Sequence, residues 1–258
     1  MDLGLTGKTA LVLGASRGLG AACARELATE GANVIAVARN TDAITAWAAA
    51  DGLSPRVTPV QLDLSDKAMV ADFGAQLADK GIDIIVNNCG GPAAGPAKGQ
   101  SQEAWASAFD AMALPIFALT DAVLPGMEAR GFGRVISIGS SGVVSPIPGL
   151  SLSNGVRGAV AGWSKTLAAE VAGSGVTVNM VLPGRIGTDR VRELDEGKAL
   201  KTGLSVDEVS AASRATIPAG RYGDPREFAA VVAFLASTRA SYVTGSMVRV
   251  DGGLLRNL

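Results

Sequence analysis

The chain has 258 residues, 48% of them hydrophobic and 18% charged, with a net charge of −1. That balance excludes a disordered chain, and a near-neutral charge without a basic run argues against nucleic acid as the main partner. Histidine is absent, which excludes serine–histidine and cysteine–histidine hydrolases and metal sites built on imidazole. Acid–base chemistry must therefore come from carboxylates, Lys, Tyr, Ser or a ligand. Cys23 and Cys89 are the only cysteines, too few for a disulfide framework or a cysteine metal site. Met1-Asp2-Leu3-Gly4 carries no basic segment ahead of an apolar one, so no secretory signal is expected. Apolar runs break at Gly, Pro or charge within about ten residues, short of a membrane span. These features predict a soluble cytoplasmic protein with reduced thiols.

The first element is an apolar strand, Thr9 to Leu13, running into Gly14-Ala15-Ser16-Arg17-Gly18-Leu19-Gly20 and then into Ala21–Ala28, a stretch of good helix formers. Gly31 stops that helix, and Asn33–Ala38 reads as a second buried strand. An alanine-rich helix over about 41–51 follows, then a third strand from Arg56 to Leu62 ending at Asp63, and a helix near 66–79 closed by Gly81. Ile82–Val86 is a fourth strand, leading into Asn87-Asn88-Cys89-Gly90. A Gly/Pro/Ala loop over 90–100 opens a long helical region, about 101–129, which Leu114-Pro115 and Leu124-Pro125 should kink or divide. Gly133–Ile138 is a fifth strand ending at Gly139-Ser140-Ser141-Gly142, followed by a helix over about 152–172. Val176–Val181 is a sixth strand, and Pro183-Gly184 opens a polar segment, about 185–217. Pro225 starts a last helix behind Asp224, and Tyr242 through Val250 is a seventh strand.

Strict alternation of helices with continuous apolar strands means a parallel sheet covered by helices on both faces. No repeats or linkers interrupt it, so residues 1–258 read as one α/β domain with 185–217 inside it. Sites in such sheets lie beyond the carboxyl ends of the strands, where the strand order reverses. On that edge fall Gly14–Gly20, Ala38-Arg39, Asp63, Asn88–Gly90, Gly139–Ser141 and Pro183–Thr188. The order strand, glycine turn, helix sets unpaired backbone N–H groups and the positive helix end against a phosphate. Glycine is required there because a side chain would hold the backbone away from the anion or forbid positive φ.

Five separated motifs occur in one order: Gly14–Gly20, Asn87–Gly90, the strand ending at Ser140, Pro183-Gly184 with Thr188, and Tyr242–Gly245 through Asp251-Gly252-Gly253. Together they resemble the short-chain dehydrogenase/reductase family over essentially the whole chain, in its 3-oxoacyl thioester reductase branch. The resemblance implies a doubly wound Rossmann-type sheet of about seven parallel strands in a three-layer α/β/α arrangement, and a nicotinamide cofactor. It assigns cofactor contacts to Gly14, Ser16, Arg17, Gly18, Leu19, Gly20, Arg39, Asp63, Leu64, Asn88, Cys89, Gly90, Pro183, Gly184, Ile186 and Thr188. Relatives that prefer NAD usually carry an acidic residue where Ala38 stands. Here Arg39 follows, and Arg17 lies in the glycine turn; two guanidiniums suit a 2′-phosphate, which favours NADP(H) over NAD(H). The competing reading makes both arginines solvated surface charges. Asp63 would face the adenine edge, or simply cap the turn that follows it. Cys89 replaces the family's usual alanine, and Leu13 stands where threonine is common; a reactive-thiol role for Cys89 is the weaker reading.

The family's catalytic residues are Asn, Ser, Tyr and Lys, with Tyr thirteen positions after Ser and Lys four further on. Ser140 is kept. The Tyr position holds Ser153, the Lys position Arg157, and the helix position of the Asn holds Met112. An aliphatic hydroxyl is a far weaker acid than a phenol tuned by a nearby ammonium, each pKa unit amounting to about 1.4 kcal/mol. Ser153 and Arg157, at i and i+4, still share one helix face. Arg157 could hold the nicotinamide ribose and stabilise an oxyanion, with Ser140 and Ser153 orienting a carbonyl and the proton coming from water or substrate. The expectation is therefore an oxidoreductase acting on a small or acyl-type carbonyl or alcohol by an atypical proton route. The alternative is a nucleotide-binding scaffold or sensor that has lost hydride transfer. The resemblance also implies a substrate lid over 185–217 and a homodimer or homotetramer; Gly155, Gly158 and Gly162 beside Trp163 would permit close packing with a second subunit. No metal is expected.

Overall fold

The computed structural model describes residues 2–78 and 80–257. The strands are β1 (Thr9–Leu13), β2 (Asn33–Ala38), β3 (Val57–Gln61), β4 (Ile84–Asn87), β5 (Gly133–Ile138), β6 (Val176–Pro183) and β7 (Met247–Val250). Between them run α1 (Gly18–Thr29), α2 (Thr41–Ala50), α3 (Lys67–Leu77), α4 (Gln102–Met112), α5 (Leu114–Ala129), α6 (Ser151–Val171), α7 (Asp189–Thr202), α8 (Val206–Ala215) and α9 (Pro225–Ala236). The strands form one sheet in the order β3-β2-β1-β4-β5-β6-β7, every pairing parallel. All seven carboxyl ends thus lie on one edge, and the order reverses between β1 and β4.

Alternate residues of each strand feed opposite faces, as a period of two requires. Ala10 and Val12 of β1 pack with Leu27 of α1, Ile44 and Trp47 of α2, and Phe228 and Val232 of α9. Leu11 and Leu13 point the other way, into Val70 and Leu77 of α3, Leu119 and Val123 of α5, and Leu167 of α6. This produces the expected three layers and explains why the strands read as unbroken apolar runs.

Three expectations change. The helical region 101–129 divides at Ala113 into α4 and α5, because Pro115 sits in the first turn of a new helix, where its missing N–H is of no consequence. Pro125 does not divide the second half; it lies inside α5, between buried Leu124 and Met127. By length and hydropathy Gln102–Ala129 does reach what a membrane span needs, contrary to the reading above, but half of its most apolar window is buried inside the protein. The seventh strand is shorter than the reading of 242–250. Gly245 at φ +67° breaks the extended backbone, and Asn179 holds the preceding loop instead, donating to the Val243 carbonyl at 2.7 Å and accepting from the Ser246 amide at 3.1 Å. Segment 185–217 folds into α7 and α8, joined through Gly203 at φ +72° and a reciprocal cap between Ser205 and Glu208. Pro225 opens α9 behind Asp224, as expected.

Candidate active site

The glycine turn lies at the carboxyl end of β1, beside the point where strand order reverses. Gly14 (φ +63°) and Gly18 (φ +60°) take left-handed backbone that a side chain would strain. Gly20 serves closeness instead: a Cβ there would lie well inside contact of the Gly14 carbonyl oxygen and 2.7 Å from Asn88 Nδ2. Asn88, at the end of β4, donates through that nitrogen to the carbonyls of Leu13 and Gly14 at 3.2 and 3.3 Å. The first turn of α1 has no side-chain cap and no acidic residue. Its leading N–H groups, which no helix can satisfy internally, therefore face the turn. Arg17 and Ser16 lie on the turn's outer side, Arg17 exposed and Ser16 half-buried.

A second group gathers at the ends of β4 and β5. The Arg157 guanidinium turns inward and donates to the Ile138 carbonyl at 2.8 Å, two residues before Ser140. Ser140 Oγ accepts from the Gly142 amide at 3.0 Å. Ser153, one turn before Arg157 on α6, is half-buried, and its hydroxyl forms no hydrogen bond among the described residues. Cys89 Sγ is buried and donates weakly to the Met112 carbonyl at 3.7 Å. Burial raises the Cys89 pKa, while the Arg157 charge and hydrogen bond oppose that rise. The Cys23 thiol, fully enclosed on the buried face of α1, is raised further by burial and by Glu26. We expect neither thiol to react with iodoacetamide at pH 8 in the folded protein, and both to react once it is unfolded in guanidinium; intact-mass spectrometry reads this directly. Adduct on native Cys89 would show that its environment activates the thiol.

The third group comes from the polar segment. Gly184 follows β6 with its amide on the Val250 carbonyl at 2.9 Å, and a Cβ there would meet Asp251 Cα at 2.6 Å; its smallness serves the chain's own tail. Ile186 is buried. Thr188 heads α7 without capping it, and its methyl lies 3.9 Å from where a Cβ of Gly18 would be, over the mouth of the glycine turn. Arg17 is exposed but paired: its Nη1 lies 2.9 Å from Glu193 Oε1 of α7. That hydrogen bond is the main reason the Glu193 carboxyl titrates below its usual range. Arg39 forms no ion pair among the described residues, though its charge helps hold Asp63 below the usual carboxylate range, after the two bonds Asp63 accepts from Ser65. The turn-capping reading of Asp63 is thus the contact seen. Leu64 is partly buried between two core clusters.

Several positioning residues carry no sequence signal. Trp47 of α2 donates from its indole to the Ala15 carbonyl at 3.1 Å, bracing the glycine turn from beneath. Asn154, next to Ser153, clamps the backbone of Ile147, accepting at 3.3 Å and donating at 2.9 Å. Ser151 ties the 90–100 loop to the start of α6 through the carbonyls of Gly95 and Pro96, at 3.1 and 3.0 Å. Asp195 of α7 is buried and accepts from the Tyr222 hydroxyl at 2.6 Å, with Arg185 at 3.6 Å. Tyr222 is thereby committed to holding α7, and Tyr242, the only other tyrosine, lies fully on the surface. Gly155 packs on Trp105 within the chain, a Cβ there meeting the ring at 2.7 Å, whereas Gly158 and Gly162 face open space.

An uncapped helix end, a glycine cradle that a Cβ would fill and two arginines within the same edge fit a phosphorylated dinucleotide. Comparison with known proteins agrees with that geometry. Residues 14–255 match the family model described as Enoyl-(Acyl carrier protein) reductase. The 3-oxoacyl-[acyl-carrier-protein] reductase FabG of Vibrio cholerae is 40% identical, covering 98% of this chain and 99% of its own. Its Escherichia coli counterpart is 37% identical, covering 96% and 97%. The solved structure of L-sorbose reductase from Gluconobacter frateurii, complexed with NADPH and L-sorbose, superposes with a TM-score of 0.93 at 31% identity over the whole of both chains. The Arg17–Glu193 contact, the Asn88 stitch and the inward Arg157 are thus features of a chain that belongs to the short-chain dehydrogenase/reductase family.

Proposed function

We propose that this protein is an NADP(H)-dependent oxidoreductase that interconverts a carbonyl and an alcohol on a small or acyl-type substrate. The relatives named as 3-oxoacyl-[acyl-carrier-protein] reductases and the neighbour bound to NADPH support the cofactor and the reaction class. In this reading the amides of Gly18, Leu19 and Gly20 hold the diphosphate, with Gly14 giving it room. Ser16, Arg17 and Arg39 take the 2′-phosphate, Asp63 and Leu64 flank the adenine, and Asn88, Cys89 and Gly90 present backbone to the nicotinamide half. Pro183, Gly184, Ile186 and Thr188 close over it, and α7 and α8 form the lid. Bound NADPH supplies the hydride.

The observation that carries the catalytic reading is the position of Arg157. A remnant arginine on a helix would extend into solvent; this one is drawn in against the end of β5, donating to the Ile138 carbonyl. A fixed charge there stabilises the oxygen that turns negative as a carbonyl is reduced. Ser140 and the hydroxyl of Ser153 orient that oxygen, and water or the substrate itself completes the proton transfer. The assembly is a homodimer or homotetramer working in the cytoplasm. Catalysis is tested by following NADPH consumption with a panel of ketones, aldehydes and 3-oxoacyl thioesters, beside the double variant Ser153→Tyr with Arg157→Lys. Turnover by the wild type is expected. Turnover by the double variant alone would mean a site that binds its ligands and lacks the acid, and would overturn the proposal.

A further inference from the structure

We propose that Glu193 is a specificity-determining residue for the cofactor: its carboxylate holds Arg17 on the lid, so that lid and 2′-phosphate compete for one guanidinium. This rests on the assignment of Arg17 to the 2′-phosphate made above. The pair spans the cofactor mouth, joining the glycine turn to α7 at 2.9 Å across 176 positions of sequence. Thr188, at the head of α7, lies beside the same turn, its methyl 3.9 Å from where a Cβ of Gly18 would be, so α7 starts next to the loop that its Glu193 holds. Both partners of the pair remain accessible, with 64% of the Arg17 side chain and 42% of the Glu193 side chain exposed. Such a pair exchanges readily and is weak.

Two neighbours make the exchange one-sided. Arg190 lies 3.5 Å from the other Glu193 oxygen, so the carboxylate keeps a cation when Arg17 leaves. Arg39 has no ion pair among the described residues and stands at the end of β2, where it can engage a phosphate first. A 2′-phosphate then offers Arg17 about twice the charge of a carboxylate and three acceptor oxygens. NADH offers a ribose hydroxyl there and leaves the Arg17–Glu193 pair intact. Binding of NADPH, unlike NADH, therefore frees α7 from the glycine turn, and the lid senses which cofactor is present.

The test is fluorescence titration of the full chain with NADPH and with NADH at low ionic strength. It compares the wild type, Glu193→Gln, Arg17→Gln and the double variant. Glu193→Gln is expected to tighten NADPH about two- to fivefold, the range an exposed pair commands, and to leave NADH unchanged. On the Arg17→Gln background the Glu193→Gln effect should vanish. Equal tightening of both cofactors, or none, overturns the competition. If Arg17→Gln fails to lower the NADPH preference, the assignment of Arg17 to the 2′-phosphate falls. If that preference drops while Glu193→Gln is silent, only the competition falls.

Discussion

Alanine at Gly20 is expected to abolish measurable NADPH binding and to lower the melting temperature by about 5–10 °C. The added methyl would run into the Gly14 carbonyl oxygen and lie 2.7 Å from Asn88 Nδ2. Neither is the end of a flexible side chain. The first is backbone of the glycine turn, and the second is tied to that backbone by two hydrogen bonds. Relief requires α1 to move off β1, which opens the cradle and tears the Asn88 stitch together. Overpacking of this kind costs about 1–3 kcal/mol or more, and a chain of this size loses roughly 2–4 °C per kcal/mol. Gly18→Ala is the control: its nearest atom would be the Thr188 methyl at 3.9 Å, so only its positive φ is strained. It should unfold at a temperature closer to the wild type. Thermal unfolding by circular dichroism and a nucleotide titration read both variants. Full-affinity NADPH binding by Gly20→Ala would show that the phosphates lie elsewhere.

The sheet was legible because its inner strands are buried on both faces, leaving runs such as Ala10–Leu13 and Ile84–Val86 without a polar break. The glycine turn was legible for a similarly local reason, three glycines in a fixed spacing between strand and helix. The last strand was overextended because Tyr242 and Val243 are good strand formers. What decides that stretch is Asn179, 64 positions away from Val243, and no local propensity registers such a partner. The same holds for Trp47 under Ala15 and for Asn154 on the Ile147 backbone. Read in isolation, Trp47 is one core residue of an alanine-rich helix and Asn154 an ordinary polar residue near a helix start. Charges are no more legible locally. Glu193 and Asp195 stand two apart in a polar helix, yet one bridges to the glycine turn and the other is buried on Tyr222. On a helix, two positions apart means different faces, and only the fold says what each face meets.

Replacing Arg157 by methionine is expected to lower kcat about a hundredfold on the best substrate of the panel, the usual loss when one donor to a developing oxyanion is removed. Methionine fills the space of the stem and removes the charge. It also leaves the Ile138 carbonyl without its 2.8 Å donor, a loss of about 1–3 kcal/mol in stability for a buried acceptor. A fall in kcat alone would therefore not separate chemistry from folding. Arg157→Lys does separate them, because an ammonium restores the charge without the planar fork that reaches a carbonyl while facing the site. Ser153→Ala removes only a hydroxyl that bonds to nothing among the described residues, so it should leave the melting temperature within about 1 °C. If that hydroxyl orients the substrate oxygen, its loss should lower kcat by about tenfold. The pattern expected of a working site is a large kcat loss in Arg157→Met, partial recovery in Arg157→Lys and a stability-neutral loss in Ser153→Ala. Nucleotide affinity, read by titration, should change far less than kcat in all three. Wild-type kcat in Arg157→Met with a lowered melting temperature would reduce the guanidinium to a pin on β5. Orientation of the substrate oxygen would then rest on Ser140 and Ser153 alone.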